Sequence, residues 1–119
     1  IIVYQYGTDR KGQGGGPQSA DAGNIGVANF SLRQNYPNPF KSSTVISYQL
    51  PKEMDVRLQL YDITGQLIKT LVTERQKSGN YTVRWDGVDE IGRNVSNGVY
   101  FYYLKANDFT ATKKLVILK

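Results

Sequence analysis

The sequence contains neither cysteine nor histidine among its 119 residues. Without cysteine there are no disulfides, no thiolate nucleophiles and none of the usual thiolate zinc ligands. Without histidine the chain lacks the commonest metal ligand and the side chain most often used as a general base near neutral pH. We therefore expect a protein that is not an enzyme and that has no cofactor and no metal site.

Long apolar runs are also missing. No stretch approaches the roughly 18 residues of a membrane-spanning helix, and no basic segment followed by an apolar one marks a signal peptide at the start. A chain that begins at Ile1 is expected to be a processed product or a fragment. The net charge of +5 comes from Lys and Arg residues that are spread along the chain, apart from Lys113 and Lys114. We predict a protein that does not span the membrane and does not bind nucleic acid.

The composition divides the chain into three parts. Residues 1–6, "IIVYQY", are β-branched and aromatic and predict an isolated strand. Residues 7–29 are rich in Gly, Ser and Ala with no period, which predicts a flexible linker. Residues 30–119 form the predicted folded domain, so the chain is expected to be one small domain behind a flexible N-terminal arm.

The folded part carries short alternating segments and no helical apolar stripe. Turn signals separate them: Gly65 in a bulged hairpin, a polar stretch at 74–80, Asn97-Gly98, and a hairpin across Asn107-Asp108. The predicted strands cover residues 45–50, 56–61, 66–72, 81–85, 99–106 and 109–118. These signals predict an all-β fold, an antiparallel β-sandwich of about seven strands with Trp85 as a core anchor.

Two features leave alternatives open. The last strand is apolar on both faces at 115–118, "LVIL", so either neighbouring segments cover its second face or it offers a face or an edge to another protein. The second feature is an acidic loop that could bind calcium or could serve only as a turn, and the turn is the favoured interpretation. The acidic and amide residues of that loop are Asp86, Asp89, Glu90 and Asn94.

Several segments together resemble a known family. They are "NYPNPF" at 35–40, "YDITGQLIKTL" at 61–71, "SGNYTVRWDGVDEIGRNVSNGVYFYYL" at 78–104 and "TKKLVILK" at 112–119. In this order they resemble the type A C-terminal sorting domains of the type IX secretion system and the related immunoglobulin-like domain of flagellar hook-capping proteins. The resemblance implies an immunoglobulin-like sandwich in a secreted bacterial protein. Its implied partners are the outer-membrane secretion machinery and a surface-attachment peptidase, and its implied location is extracellular or at the cell surface.

The resemblance also implies which residues are recognised during export. The Gly-x-Tyr feature of the family falls on the start of a predicted strand, and the basic-apolar motif falls on the last one. The implied recognition residues are Gly98, Tyr100, Lys113, Lys114, Val116 and Lys119. The two proline residues of "NYPNPF" resist both helix and mid-sheet pairing, so this segment is expected to be a fixed entry into the fold.

Two other functions stay open beside secretion and surface anchoring. A strand-like hexapeptide on a Gly-rich linker has the layout of a subunit that donates its strand to a neighbour. If every subunit donates its strand to the next one, head to tail, the contact builds a filament. The candidate donor strand consists of Ile1, Ile2, Val3, Tyr4, Gln5 and Tyr6. The third interpretation is a carbohydrate-binding appendage of a secreted enzyme, because Arg84 and the tyrosines on outer strand faces could stack on flat ligands.

Overall fold

The computed structural model describes residues 29–119. Its seven strands are β1 (Ser31–Leu32), β2 (Thr44–Leu50), β3 (Met54–Asp62), β4 (Leu67–Gln76), β5 (Gly79–Trp85), β6 (Gly98–Ala106) and β7 (Phe109–Ile117). They form a three-stranded sheet in the order β1-β2-β5 and a four-stranded sheet in the order β4-β3-β6-β7. Every pairing is antiparallel, so the predicted all-β antiparallel sandwich of about seven strands is confirmed. The predicted N-terminal strand at 1–6 and the linker, except for Asn29, lie outside the described residues.

Period-2 alternation decides which side chains form the core. On β2, the buried apolar residues are Ile46, Tyr48 and Leu50, and on β3 the predicted inward positions 56, 58 and 60 are all buried. Trp85 of β5 is 1% exposed and confirms the predicted core anchor. Its ring packs edge-on against Phe40 and Tyr100, and its indole nitrogen donates a 2.8 Å hydrogen bond to the Val88 carbonyl. The donor of this buried indole is therefore satisfied inside the fold.

The hairpin between β3 and β4 matches its sequence signal. Gly65 has a φ of +87°, and the strand register shifts near the hairpin, as expected of a bulged turn. The Asp62 carboxylate accepts hydrogen bonds from the Thr64 hydroxyl and from the backbone N–H groups of Thr64 and Gln66. These donors favour the charged carboxylate and lower the pKa of Asp62, with the Thr64 hydroxyl as the largest cause.

Most strand bounds lie within two residues of the prediction, and two differences are larger. Strand β4 continues to Gln76, through residues that the polar composition placed in a turn. Arg75 pairs with Glu53 and Asp55, and Gln76 accepts a hydrogen bond from the Tyr48 hydroxyl, so polar partners on neighbouring elements hold the extension. The two-residue strand β1 was not predicted, because two residues are too few to show a period.

The residues of "NYPNPF", Asn35–Phe40, are named the entry segment. Both of its X-Pro peptide bonds, Tyr36-Pro37 and Asn38-Pro39, are cis. Tyr36 forms an antiparallel bridge with Val45 of β2, whereas Phe40 forms a parallel bridge with Ile117 of β7. The entry segment therefore connects an edge of the three-stranded sheet to an edge of the four-stranded sheet, and it makes no continuous strand of its own.

Candidate functional site

The implied recognition residues lie at or near one corner of the sandwich, where the end of β7 meets the entry segment. We name this region the C-terminal corner and define it as residues 114–119, the entry segment and the Asn97-Gly98 turn. Val116 donates its N–H to the Asn38 side-chain oxygen at 2.9 Å and accepts a hydrogen bond from the Phe40 N–H at 3.0 Å. The Leu118 N–H then donates to the Phe40 carbonyl at 3.0 Å. The backbone edge of β7 is thus covered by the entry segment at this end.

The exposed side chains at the β7 end of the corner are basic and apolar. Lys114 and Val116 lie on the outer face of β7, where Lys114 is exposed and Val116 is half-buried. Leu118 lies two residues after Val116 and is 58% exposed. Lys119 is exposed, and its N–H donates to the Asn97 side-chain oxygen at 3.1 Å. The C-terminal corner therefore presents two lysines and an exposed leucine on a backbone that is hydrogen-bonded at several points.

Lys113 is separated from Lys114 by the strand period. Successive residues of a strand point to opposite faces, and Lys113 shares its parity with the buried residues Ala111 and Leu115. It lies opposite the buried Tyr102 and is itself half-buried. The two neighbouring lysines therefore do not form one basic patch.

Gly98 and Tyr100 have local structural roles. Gly98 has a φ of +146°, a backbone conformation that favours glycine, and it pairs with Ile117 at the corner. Tyr100 is 6% exposed, and its hydroxyl donates to the Ser96 carbonyl at 2.8 Å, just upstream of its own strand. This bond resembles the tyrosine corner of immunoglobulin-like sandwiches. The implied part of both residues in export recognition stays a prediction.

A buried hydrogen-bond cluster fixes the entry segment to the core. The Tyr102 hydroxyl donates to the Arg33 carbonyl at 2.7 Å and accepts from the Asn35 N–H at 2.8 Å. Asn35 is 2% exposed, and its side chain donates to the Thr44 hydroxyl. Burial raises the pKa of the Tyr102 hydroxyl well above its usual range. No sequence pattern predicted this cluster, and the polar Asn35 within "NYPNPF" is the signal that could have indicated it.

The acidic loop uses its carboxylates as hydrogen-bond acceptors for the protein. Asp89 accepts from the Ile91 and Arg93 N–H groups and from the Arg93 guanidinium, and the Arg93 N–H is the main cause of its lowered pKa. Glu90 accepts a hydrogen bond from the Thr70 N–H on the outer edge of β4. Within residues 29–119 no group of three acidic side chains could hold a metal ion. Nor does that part of the chain contain a helix long and apolar enough to cross a membrane.

A family model described as the FlgD Ig-like domain matches residues 35–109, which is more than half of the chain. The chain belongs to the FlgD Ig-like domain family. Together with the two-sheet architecture and the solved FlgD structures, this match confirms the predicted immunoglobulin-like sandwich. A comparison with curated proteins found no match.

Solved structures show the same fold as this FlgD Ig-like domain. Dimeric latent PorU from Porphyromonas gingivalis gives a TM-score of 0.59 at 21% identity, over 78% of this chain and 10% of PorU. PorZ, an essential surface component of the type IX secretion system of that bacterium, gives a TM-score of 0.50 at 18% identity, over 76% of this chain and 11% of PorZ. FlgD from P. aeruginosa gives a TM-score of 0.53 at 19% identity, over 76% of this chain and 70% of FlgD. The chain thus spans about a tenth of PorU and PorZ, and at these identities the likeness shows the fold.

Proposed function

We propose that this FlgD Ig-like domain is a non-enzymatic module for secretion and cell-surface anchoring of a bacterial protein. The C-terminal corner is the surface that the outer-membrane secretion machinery recognises, and a surface-attachment peptidase is a further partner. The resemblance to type A sorting domains supports this assignment. So does the structural likeness to PorZ, which is a surface component of the type IX secretion system. The domain accordingly works outside the cell or at the cell surface.

The observation that carries the proposal is that an exposed basic-apolar motif is held in a fixed shape. Lys114, Leu118 and Lys119 are exposed, yet their backbone is tied down by Gln34, Phe40 and Asn97. Fixing one flexible residue on binding costs about 1–2 kcal/mol of backbone entropy. A motif that is already ordered avoids much of that cost, which suits recognition by a partner that must bind this end of the domain.

The test is export of a reporter protein fused ahead of Ile1 in a bacterium that carries a type IX secretion system. We expect the double variant Lys114→Ala and Lys119→Ala to reduce the surface-exposed reporter by about tenfold, because it removes two cationic contacts. Surface exposure is measured by protease accessibility on intact cells. Lys113 is left unchanged, since its half-buried position would mix recognition with stability.

The matched control is the double variant Lys52→Ala and Lys77→Ala. Both lysines are exposed but lie outside the C-terminal corner, so this control removes the same charge elsewhere. Melting temperatures of all purified variants check that folding is retained. Equal export by the corner variant and the control would contradict the proposal.

A second candidate function, a filament subunit that donates its N-terminal strand, is favoured by one observation. Strand β5 ends the three-stranded sheet, and no described residue pairs with its second edge. A free edge of this kind can accept an added strand. Deletion of residues 1–6 is then expected to abolish assembly of the purified chain, measured by light scattering, and to leave export unchanged. A parent chain that stays monomeric at high concentration would reject this candidate.

A further inference from the structure

A shallow groove of about 390 Å³ lies on the outer face of the four-stranded sheet. We name it the outer aromatic groove; its lining residues are Tyr61, Asp62, Ile63, Gly65, Phe101, Tyr103 and Thr112. The register of β3 and β6 places Tyr61 opposite Phe101, and Tyr103 lies opposite Gln59 in the next outward-facing row. Three neighbouring positions on one sheet surface therefore carry aromatic rings.

These rings do not belong to the core of the sandwich. Tyr61, Phe101 and Tyr103 are half-buried, and Ile63 is 69% exposed. Neither the buried core nor the partly buried residues packed against it include any of the four. Across residues 29–119, none of these three rings stacks on another aromatic ring. Contiguous apolar surface that the fold does not cover marks a binding site.

Exposed cations lie near the groove on the same face, at one end and on the β7 side. Arg57 and Lys105 lie directly opposite each other on β3 and β6, and Lys114 lies opposite Phe101. All three are exposed, and none forms an ion pair within the described part of the chain. Like charges directly opposite each other destabilise a sheet, so the Arg57–Lys105 pair is not explained by folding.

Two carboxylates near these cations are already engaged by other groups. Asp55, two positions before Arg57 on β3, is paired with Arg75 at 2.9 Å. Asp62, which lines the groove, has one carboxylate oxygen occupied by three hydrogen bonds from its own turn. Three exposed cations beside an aromatic surface therefore favour a ligand that combines negative charge with flat apolar faces.

We propose that the outer aromatic groove binds an acidic polysaccharide. The rings of Tyr61, Phe101 and Tyr103 stack on the apolar faces of sugar rings, while Arg57, Lys105 and Lys114 bind carboxylate or phosphate groups of the polymer. The hydroxyls of Tyr103 and Thr112 supply donors and acceptors for sugar hydroxyls, and the Tyr61 hydroxyl, which donates to the Gln59 side chain at 3.0 Å, supplies an acceptor. This binding site is distinct from export recognition, although Lys114 lies in both surfaces.

Single-stranded nucleic acid is the other polymer with flat rings and negative charge. It requires a basic track that follows the backbone along the whole site. Here Arg57 and Lys105 lie at one end and Lys114 lies on the β7 side, while the turn side of the groove is formed by Asp62, Ile63 and Gly65. The carboxylate and the exposed isoleucine on that side favour a saccharide over a phosphate backbone.

The proposal is tested by titration calorimetry of the full chain with sodium polygalacturonate, with neutral dextran and with oligothymidylate as probes. We expect binding to polygalacturonate about tenfold or more tighter than to dextran, and weakened by salt. The double variant Arg57→Gln and Lys105→Gln is expected to lose about tenfold in affinity, because two charge-assisted contacts are removed. Phe101→Ala is expected to lose about tenfold, the effect of removing one stacking ring.

The matched control is Arg84→Gln, which removes an exposed charge from the outer face of the other sheet. Its affinity should stay within about twofold of the parent, as for an ordinary surface change. Melting temperatures show whether each variant folds. If Phe101→Ala does not fold, the affinity of the Arg57→Gln and Lys105→Gln double variant is the test of the proposal. Three results would overturn the proposal: no binding to polygalacturonate, tighter binding to oligothymidylate, or an unchanged affinity in the double variant.

Discussion

The two faces of strand β6 carry aromatic residues at four consecutive positions and place them in different surroundings. Tyr100 and Tyr102 point inward, where both are buried and both hydroxyls hydrogen-bond to backbone groups. Phe101 and Tyr103 point outward, where they are half-buried and line the outer aromatic groove. On the inner face each tyrosine combines apolar packing with a specific polar bond.

This difference separates residues that hold the fold from residues that are available for binding. The outer face of the three-stranded sheet shows that aromatic residues are not required on a solvent-facing surface of this sandwich. Its side chains there are small or polar, apart from Val45; they include Ser47, Thr82 and Arg84. The aromatic rings on the outer side of β6 therefore have no counterpart on the strands of the other sheet, beside which only the exposed Tyr36 of the entry segment lies, bridged to Val45.

The largest effect should come from ionising the inner tyrosines. Burial raises the pKa of Tyr48 to about 12 and also raises the pKa of Tyr102. The neutral forms are favoured in the folded state, so their contribution to stability is complete below about pH 10, the pKa of an unfolded tyrosine. It is lost as the pH rises through the folded-state pKa values.

We therefore expect cooperative unfolding above about pH 10, followed by circular dichroism and by tyrosinate absorbance. Replacing both Tyr48 and Tyr102 by Phe should make the free energy of unfolding fall less between neutral and alkaline pH. For a given stability at neutral pH, the alkaline transition should then occur at a higher pH. An alkaline transition that does not move in this double variant would show that other groups cause it.

A smaller effect is expected from removing one inner hydroxyl. Tyr102→Phe leaves the Arg33 carbonyl and the Asn35 N–H without their partner, which should lower the free energy of unfolding by about 1–3 kcal/mol. The matched variant Tyr103→Phe removes the outer hydroxyl and should change it by less than about 0.5 kcal/mol. Urea denaturation measures both. Equal losses of unfolding free energy in the two variants would show that the inner and outer hydroxyls contribute equally to stability.

The smallest of the three effects is expected for Tyr100→Phe. It removes the hydrogen bond to the Ser96 carbonyl and a long 3.4 Å contact with the Ser96 hydroxyl, and since Ser96 is exposed both freed groups can bind water. We expect a loss of about 1 kcal/mol in unfolding free energy. Export of the fused reporter should be retained if Tyr100 acts only on the fold. Lost export at unchanged stability would instead assign Tyr100 to recognition.

Much of the fold could be predicted because alternation is a local signal. The buried sets on β2 and β3 and the turn at Gly65 follow from neighbouring residues alone. The extension of β4 could not be predicted in this way, since Arg75 and Gln76 depend on partners more than twenty residues away. Polar composition predicts a turn only when such partners are absent.

The candidate site was predictable in position but not in geometry. The resemblance implied recognition residues at the end of β7, among them the adjacent Lys113 and Lys114. Strand alternation places these two lysines on opposite faces. The contact of Asn38 with Val116 joins residues 78 positions apart, and no local pattern contains that information.

The bridge between the entry segment and β7 also sets an order of events during synthesis. The ribosome makes Asn38 and Phe40 long before Val116, so these two residues lack their hydrogen-bond partners on β7 until the final strand has emerged. Until then the Leu115 and Ile117 side chains are also missing from the core. The C-terminal corner consequently exists only in a chain whose last strand has been made and docked. A partner that binds this corner would thereby select completed domains over nascent ones.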